Sequence, residues 1–274
     1  MATPAVVSEL SLGPGLPTLK IGAGPSVLMY LPGLRPHPGL PTGMERRATL
    51  TGWDGLLDRY TIYWVGRRVR PVGTTFAEMA QDTAEAAEAL ASSGPIDVMG
   101  ASTGGIIAIH LAATRPDLVR RLVLVITGTA GSPRGRRMIV DTMGSIRSRR
   151  WRRTFATVMS IGGATPVRRS IYRAMGWTLG PMLVGIPDDP TLLLAELDAW
   201  TREDAHGLVE RIRCPTLVIG TERDPVFPPE ATRALAAALP DARVVIVPKL
   251  AHNFPLSAIP DEIAPFLAEA DRSR

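Results

Sequence analysis

Short apolar runs alternate with helical patterns along most of this 274-residue chain. Apolar runs bounded by Gly, Pro and polar residues are typical of buried strands. Eight such runs predict strands, over residues 6–12, 18–22, 26–31, 61–66, 96–100, 119–127, 215–220 and 242–247. A short Gly-Pro-Gly connection joins the first two runs, which favours an antiparallel pair at a sheet edge.

Segments with apolar residues at helical spacing separate the later runs. They predict helices over residues 43–59, 75–92, 103–115, 229–239 and 259–271. Strands that alternate with helices indicate an α/β protein, because two parallel neighbours need a long crossover connection. The pattern therefore predicts a mostly parallel eight-stranded sheet with flanking helices.

The alternation breaks between residues 129 and 205, where glycine and proline punctuate a helical pattern. Apolar residues recur there at helical spacing, with arginine on the other faces: Met138, Ile139, Met143, Ile146, Trp151, Phe155 and Val158. We interpret residues 129–205 as a helical insertion. Residues 1–128 and 206–274 would then form the core domain.

The single cysteine and the absence of nucleotide-binding motifs exclude several classes of protein. Cys214 is the only cysteine, so the chain forms no intrachain disulfide and carries no cysteine metal cluster. A P-loop and a G-x-G-x-x-G motif are also missing, and we expect neither a cofactor nor a metal. The first residues do not resemble a secretory signal, and the longest apolar stretches are too short to cross a membrane. A cytoplasmic protein without membrane insertion is the expectation.

The net charge of +5 is unevenly distributed. Residues 131–187 contain eleven Arg, no Lys and one acidic residue, Asp141. One cluster in this segment could receive a carboxylate, a phosphate or an acyl-carrier partner: Arg147, Arg149, Arg150, Arg152 and Arg153. The alternative, which we favour, is the solvated outer face of an amphipathic helix. Because no recognition motif accompanies the charge, we expect no nucleic-acid partner.

The most informative motif is the G-x-S-x-G pentapeptide at residues 100–104, between an apolar run and a helical segment. A serine on a sharp strand-to-helix turn can be presented as a nucleophile, and glycine removes Cβ atoms that would clash in such a turn. A glycine-rich loop with a surface serine is the competing interpretation. The context makes Ser102 the candidate nucleophile.

A serine nucleophile needs an imidazole base, and the chain offers four histidines: His37, His110, His206 and His252. His252 follows the last predicted strand, at the carboxyl edge of a parallel sheet, where active sites gather. His110 is two helical turns past Ser102, roughly 12 Å away, and is better explained as a helix-face residue. His206 lies in a polar segment, and His37 could line the pocket mouth.

The carboxylate that orients the imidazole should leave the sheet at the same edge. Asp224 follows the predicted strand 215–220 and is the best candidate, with Glu222 as its competitor. The order along the chain is then Ser102, Asp224, His252. For the oxyanion, the backbone N–H of Thr103 and that of Leu34, in the turn after the third strand, are the candidate donors.

These parts together resemble the α/β-hydrolase superfamily over about residues 5–270. The matching segments are YLPGL at the third-strand turn, GASTGG at the elbow, CPTLVIGTERDPVFP at the acid loop and LAHNFP at the histidine loop. The resemblance implies Ser102 as nucleophile, Asp224 as acid, His252 as base, the amides of Leu34 and Thr103 as oxyanion hole, and residues 129–205 as a cap over the site. Many members have His-Gly where this chain has Pro32-Gly33, so the chain departs from the family pattern at the turn of the oxyanion hole.

The resemblance extends to the chemistry. A serine nucleophile argues against the dehalogenase and epoxide hydrolase branches, which use aspartate, and Gly104-Gly105 is similar to small esterases and perhydrolases. We therefore expect a cofactor-free serine hydrolase that cleaves a small carboxylic ester through an acyl-enzyme on Ser102. A thioesterase, lactonase, perhydrolase or acyltransferase would use the same residues, and a ligand-binding protein with a vestigial site is a further alternative. The sequence is compatible with an anionic substrate and with a homo-oligomer.

Overall fold

The computed structural model describes residues 6–53, 55–252 and 262–269. A single sheet of eight strands runs through this part of the chain in the order β1-β2-β4-β3-β5-β6-β7-β8. The strands are β1 (Val7–Leu12), β2 (Leu16–Ile21), β3 (Ser26–Leu31), β4 (Tyr60–Val65), β5 (Ile96–Ala101), β6 (Val119–Val125), β7 (Thr216–Thr221) and β8 (Ala242–Val247). β1, β2 and β4 pair antiparallel, and all later pairs are parallel. The predicted mostly parallel sheet and the antiparallel edge pair are confirmed.

Helices cover both faces of this sheet. They are α1 (Gly43–Leu50), α2 (Phe76–Leu90), α3 (Thr103–Thr114), α4 (Pro133–Arg147), α5 (Trp151–Ser160), α6 (Pro166–Leu183), α7 (Thr191–Arg202), α8 (His206–Val209), α9 (Pro229–Ala238) and α10 (Ile263–Ala268). Successive side chains of β5 point to opposite faces, so Val98 joins the core with α2 and α3 while Met99 joins the core with α10. No described helix is long and apolar enough to cross a membrane.

Helices α4–α7 occupy the segment between β6 and β7, which we call the insertion helices. They share a small apolar cluster of their own: Met143, Ile146, Trp151, Phe155, Leu193 and Leu197. Gly176 and Gly180 of α6 face the α5 residue Phe155 so closely that a Cβ at either position would overlap it. The helical periodicity read from residues 138–158 is confirmed by α4 and α5.

Two predicted elements end earlier than expected because the backbone changes conformation. The helix expected over residues 43–59 ends at Leu50, because Thr51 is extended and Gly52 has a φ of 89°. The indole of Trp53 then donates to the carbonyl of Thr49 at 2.6 Å and is buried, so its apolar signal belongs to a turn. The strand expected over 119–127 ends at Val125, since Ile126 has a φ of 44°. Parts of the helix expected over 259–271 lie outside the described residues.

Asp97 in β5 forms the most heavily bonded buried ion cluster among the described residues. Its side chain is fully buried, accepts two hydrogen bonds from Arg120 at 2.9 and 2.6 Å, and accepts one from the Tyr60 hydroxyl at 2.8 Å. Arg121 Nη1 lies 3.5 Å from both carboxylate oxygens. The strand that leads to the G-x-S-x-G motif is therefore fixed at its start by charge as well as by packing.

We expect Asp97→Ala to lower the free energy of unfolding by about 3–5 kcal/mol, because it removes the buried carboxylate that accepts hydrogen bonds from Arg120 and Tyr60. Asp117→Ala removes an exposed partner of Arg115 and should cost less than about 1 kcal/mol. Urea unfolding of both variants measures the difference. Equal losses would show that the buried cluster contributes no more than a surface ion pair.

Candidate active site

Ser102 lies on the sharp turn between β5 and α3, as the motif predicted. Its φ and ψ are 49° and −119°, a backbone conformation that non-glycine residues rarely adopt and that costs about 1–3 kcal/mol. Its N–H donates to the carbonyl of Val125 at 2.9 Å, and its carbonyl accepts from the Thr127 hydroxyl at 2.8 Å. These bonds to the end of β6 hold the turn in its strained form.

The glycines of the motif are required by close contacts. A Cβ on Gly104 would overlap the carbonyl oxygens of Leu31 and Pro32. A Cβ on Gly105, the next residue, would lie 2.5 Å from the Thr127 side chain. Gly104 therefore lets the start of α3 approach the turn after β3, and Gly105 lets it approach the residues that follow β6.

Ser102, His252 and Asp224 form one chain of short contacts. The Ser102 hydroxyl oxygen lies 3.0 Å from Nε2 of His252, and Nδ1 of His252 lies 2.7 Å from Oδ2 of Asp224. The other Asp224 oxygen accepts from the backbone N–H groups of Val226 at 2.7 Å and Phe227 at 3.0 Å. An ionised Asp224 that accepts from Nδ1–H leaves Nε2 free to accept the serine proton.

The competing residues of the sequence analysis lie in other contacts. His110 is buried on α3 against Phe76, and burial lowers the pKa of its imidazole. His37 contacts the carbonyl of Val184 at 2.9 Å, and the backbone N–H of His206 donates to Asp204. Glu222 accepts from the backbone N–H of Lys249 at 2.7 Å on the surface. Of the histidines and acids considered, the structure brings only His252 and Asp224 to Ser102.

The candidate oxyanion donors border the same space as Ser102. Thr103 is the first residue of α3, so its N–H is one of the unpaired donors at a helix N-terminus. Gly33 contacts the nucleophile closely, since a Cβ built on it would lie 3.3 Å from Cβ of Ser102. Leu34 follows Gly33 and lines the cavity together with Thr103. Both candidate residues therefore line the cavity that Ser102 borders.

A cavity of about 440 Å³ opens in front of Ser102. Its walls are mainly apolar and come from the sheet and from the insertion helices: Val125, Ile126, Met138, Ile139, Val158, Ile161, Leu197, Trp200 and Val226. This composition suits an acyl chain or another apolar group next to a few fixed polar atoms. Among the residues that the structure describes, no group of three or more His, Cys, Asp or Glu is placed to bind a metal ion.

A buried ion pair beside this cavity was missed by the sequence analysis. Nε of Arg67 lies 3.0 Å from Oε1 of Glu196, and the two side chains are 10% and 1% exposed. Burial raises the pKa of the Glu196 carboxyl, and Arg67 and Arg35 act against that rise. The pair joins the end of β4 to α7, two elements far apart in the chain. The one signal for it in the sequence is the place of Arg67, directly after a buried strand.

A second cavity, of about 410 Å³, is lined by residues of α4, α5 and α6. Four arginines and one acidic residue line it: Arg134, Arg153, Arg169, Arg173 and Asp141. Met138, Thr157 and Ile161 line both cavities, so the two share a wall. Of the cluster Arg147, Arg149, Arg150, Arg152 and Arg153 predicted from the sequence, only Arg153 lines this cavity. The other three arginines of the cavity lie on α4 and α6.

The alpha/beta hydrolase family model matches residues 28–266 of this chain. The chain belongs to the alpha/beta hydrolase family. Among curated proteins, it is 28% identical over 259 residues to a pimeloyl-[acyl-carrier protein] methyl ester esterase of Neisseria meningitidis serogroup C, covering 86% of this chain and 93% of that protein. A protein of the same name from Chromobacterium violaceum is 28% identical over 254 residues, covering 85% and 89%.

Two solved structures have a similar fold. An esterase from Thermogutta terrifontis superposes with a TM-score of 0.70 at 21% identity and covers 96% of each chain. The enol-lactonase of Burkholderia xenovorans gives a TM-score of 0.70 at 17% identity, covering 95% of this chain and 98% of its own. At these identities the likeness concerns the fold alone.

We expect Gly104→Ala to slow the reaction of Ser102 with a fluorophosphonate probe by at least about 100-fold, because the added Cβ pushes apart the β3 turn and the elbow. Gly144→Ala in α4 is the matched control, since its Cβ would meet no other atom within 4 Å. Labelling rates of the two variants provide the measurement. Unchanged labelling of Gly104→Ala would mean that the close approach is not needed.

Proposed function

We propose that this chain is a serine hydrolase that cleaves a small carboxylic ester through an acyl-enzyme on Ser102. The observation that carries the proposal is the continuous chain from Ser102 through His252 to Asp224, with contacts of 3.0 and 2.7 Å at an apolar cavity. The relatives named as methyl ester esterases support the same reaction class.

Each residue of the chain has a defined step. Ser102 Oγ attacks the ester carbonyl carbon while Nε2 of His252 accepts its proton, and Asp224 stabilises the imidazolium that forms. The C–O bond to the alcohol then breaks, and His252 returns the proton to the leaving alkoxide. A water molecule that His252 deprotonates attacks the acyl-enzyme and releases the acid and free Ser102.

The negative charge on the carbonyl oxygen needs fixed donors. We assign the backbone N–H groups of Thr103 and Leu34 to this role, since both residues line the cavity beside Ser102. The N-terminus of α3 adds the positive end of a helix dipole at Thr103. Each donor of this kind contributes a few kcal/mol to stabilising the transition state.

The insertion helices act as a cap in this proposal. α4, α5 and α7 supply cavity walls opposite the sheet, among them Met138, Val158 and Leu197. A thioesterase, lactonase, perhydrolase or acyltransferase would use the same residues, so the cap walls, not Ser102, select the substrate. Rates with p-nitrophenyl esters of several chain lengths would rank the acyl groups that the cavity accepts.

Ser102→Ala tests the nucleophile. We expect kcat/KM for p-nitrophenyl esters to fall by at least about 10⁴-fold, because the residues of a triad act as a unit. Labelling by a fluorophosphonate should also disappear, whereas Ser145→Ala, at a buried serine of α4 outside the cavity, should keep both activities. Labelling that persists in Ser102→Ala would refute the assignment.

A second candidate substrate is an ester with an anionic part, of which the acyl-carrier esters in the relatives' names are one form. The second cavity favours this substrate, because its lining contains four arginines and a single acidic residue, Asp141. This cavity shares a wall with the cavity of Ser102. Arginine suits carboxylate and phosphate groups because its planar guanidinium can bind them with two parallel hydrogen bonds.

We expect Arg169→Glu to lower kcat/KM for an acyl-carrier methyl ester by about tenfold while a neutral p-nitrophenyl ester is unaffected, because only the charged substrate is attracted. Arg147→Glu makes the same charge change outside both cavities and is the matched control. Rates at low and high salt should differ for the anionic ester alone. Equal effects of the two variants would reject this candidate.

A further inference from the structure

The three strand ends around the nucleophile lie in register. β3 pairs parallel with β4 through Tyr30 and Trp64, and with β5 through Leu31 and Gly100. Three residues beyond Tyr30 and Trp64, the chain reaches Gly33 and Arg67. Gly33 therefore lies between Arg67 on one side and Ser102 on the other.

Arg67 binds the turn that carries the proposed oxyanion donor. Its Nη2 donates to the carbonyl of Pro32 at 2.7 Å and to that of Gly33 at 3.2 Å. Gly33 and Leu34 share a peptide bond, and the peptide bonds of the described residues are all trans. In a trans peptide the C=O and the N–H point in opposite directions. With the Gly33 carbonyl held by Arg67, the Leu34 N–H points away from Arg67, to the side where Ser102 lies.

Glu196 keeps Arg67 in this position. The distance from Nε of Arg67 to Oε1 of Glu196 is 3.0 Å, but Nε makes no hydrogen bond among the described residues, so the contact is an ion pair. A lone guanidinium buried to this extent would be strongly disfavoured, and the carboxylate of α7 compensates for its charge. Leu34 also packs against the apolar cluster of the insertion helices. The turn is thus held by the core through Arg67 and by the insertion through Leu34.

We propose that Arg67, anchored by Glu196, is the positioning residue of the oxyanion hole: it orients the Gly33–Leu34 peptide so that the Leu34 N–H faces the carbonyl oxygen of the substrate. Arg67 does not line the cavity and touches no reacting atom. The inference rests on the proposed ester hydrolysis and adds to it the group that fixes one of the two oxyanion donors.

Arg67→Met and Arg68→Met test this assignment as a matched pair. Arg68 is the next residue, but its side chain is 46% exposed and lies 3.9 Å from Asp82. With p-nitrophenyl butyrate, we expect Arg67→Met to lower kcat by about 100-fold with KM changed less than about threefold, as for the loss of an oxyanion donor. Arg68→Met should match the wild type in both constants.

Two conservative variants test the same role if Arg67→Met folds poorly. Arg67→Lys retains the charge and one donor group and should recover part of the lost kcat. Glu196→Gln keeps the side-chain volume and should lower kcat by about tenfold. The affinity for an aryl boronic acid, whose tetrahedral serine adduct resembles the transition state, should fall in proportion to kcat/KM across the series.

The possible results distinguish the role of Arg67 from the proposed ester hydrolysis. If Arg67→Met and Arg67→Lys keep the wild-type kcat, or if KM rises in them while kcat does not fall, the positioning role is rejected and the esterase proposal stands. If the wild type hydrolyses no ester, the proposed function fails, and the role of Arg67 fails with it. An equal fall in kcat for Arg68→Met would also reject the role, because the loss would then not depend on the hydrogen bonds from Arg67 to the Pro32–Gly33 turn.

Discussion

The close approach of three parallel strand ends is the constraint on which the rest of this site depends. β4, β3 and β5 are neighbours in the sheet, and the residues that follow them must pass within van der Waals distance of one another. Gly33 and Gly104 make this possible, since a Cβ at Gly104 would overlap the backbone of the β3 turn. The strain at Ser102 persists because backbone and side-chain bonds from the end of β6 hold it.

Three buried carboxylates show how the surroundings of a charge relate to its role. Asp97 accepts hydrogen bonds from Arg120 and Tyr60 at the start of β5, and its function is to fix the strand. Asp224 accepts from two backbone N–H groups and from His252, so its charge is directed at the imidazole. Glu196 forms an ion pair with Arg67, and its Oε2 makes no hydrogen bond within the described part of the chain.

The sheet could be predicted from the sequence because its strands leave local signals. Alternation of apolar runs with helical segments predicted the strand count. The G-x-S-x-G motif and the positions of Asp224 and His252 after predicted strands indicated the three residues that form the contact chain. The end of α1 could not be predicted, because Leu56 and Trp53 are buried in a turn and imitate helical periodicity. Their burial depends on tertiary contacts that a periodic pattern does not contain.

The Arg67–Glu196 ion pair could not be predicted from the sequence for a related reason. Its two residues are in separate elements, and the place of Arg67 beside Gly33 follows from the register of Tyr30 with Trp64, which hydrophobic patterns leave undetermined. The arginines of the second cavity are a further case, since α4, α5 and α6 bring them together only after the insertion has folded.

The two cavities explain why the reaction class is easier to assign than the substrate. Chemistry at Ser102 needs a few atoms in fixed positions, and these come from the sheet edge and the turns around it. Selection of the substrate comes from the walls, and Met138, Thr157 and Ile161 separate an apolar space from one lined by arginine. An ester that reaches both spaces would place its apolar part next to Ser102 and its anionic part across that wall.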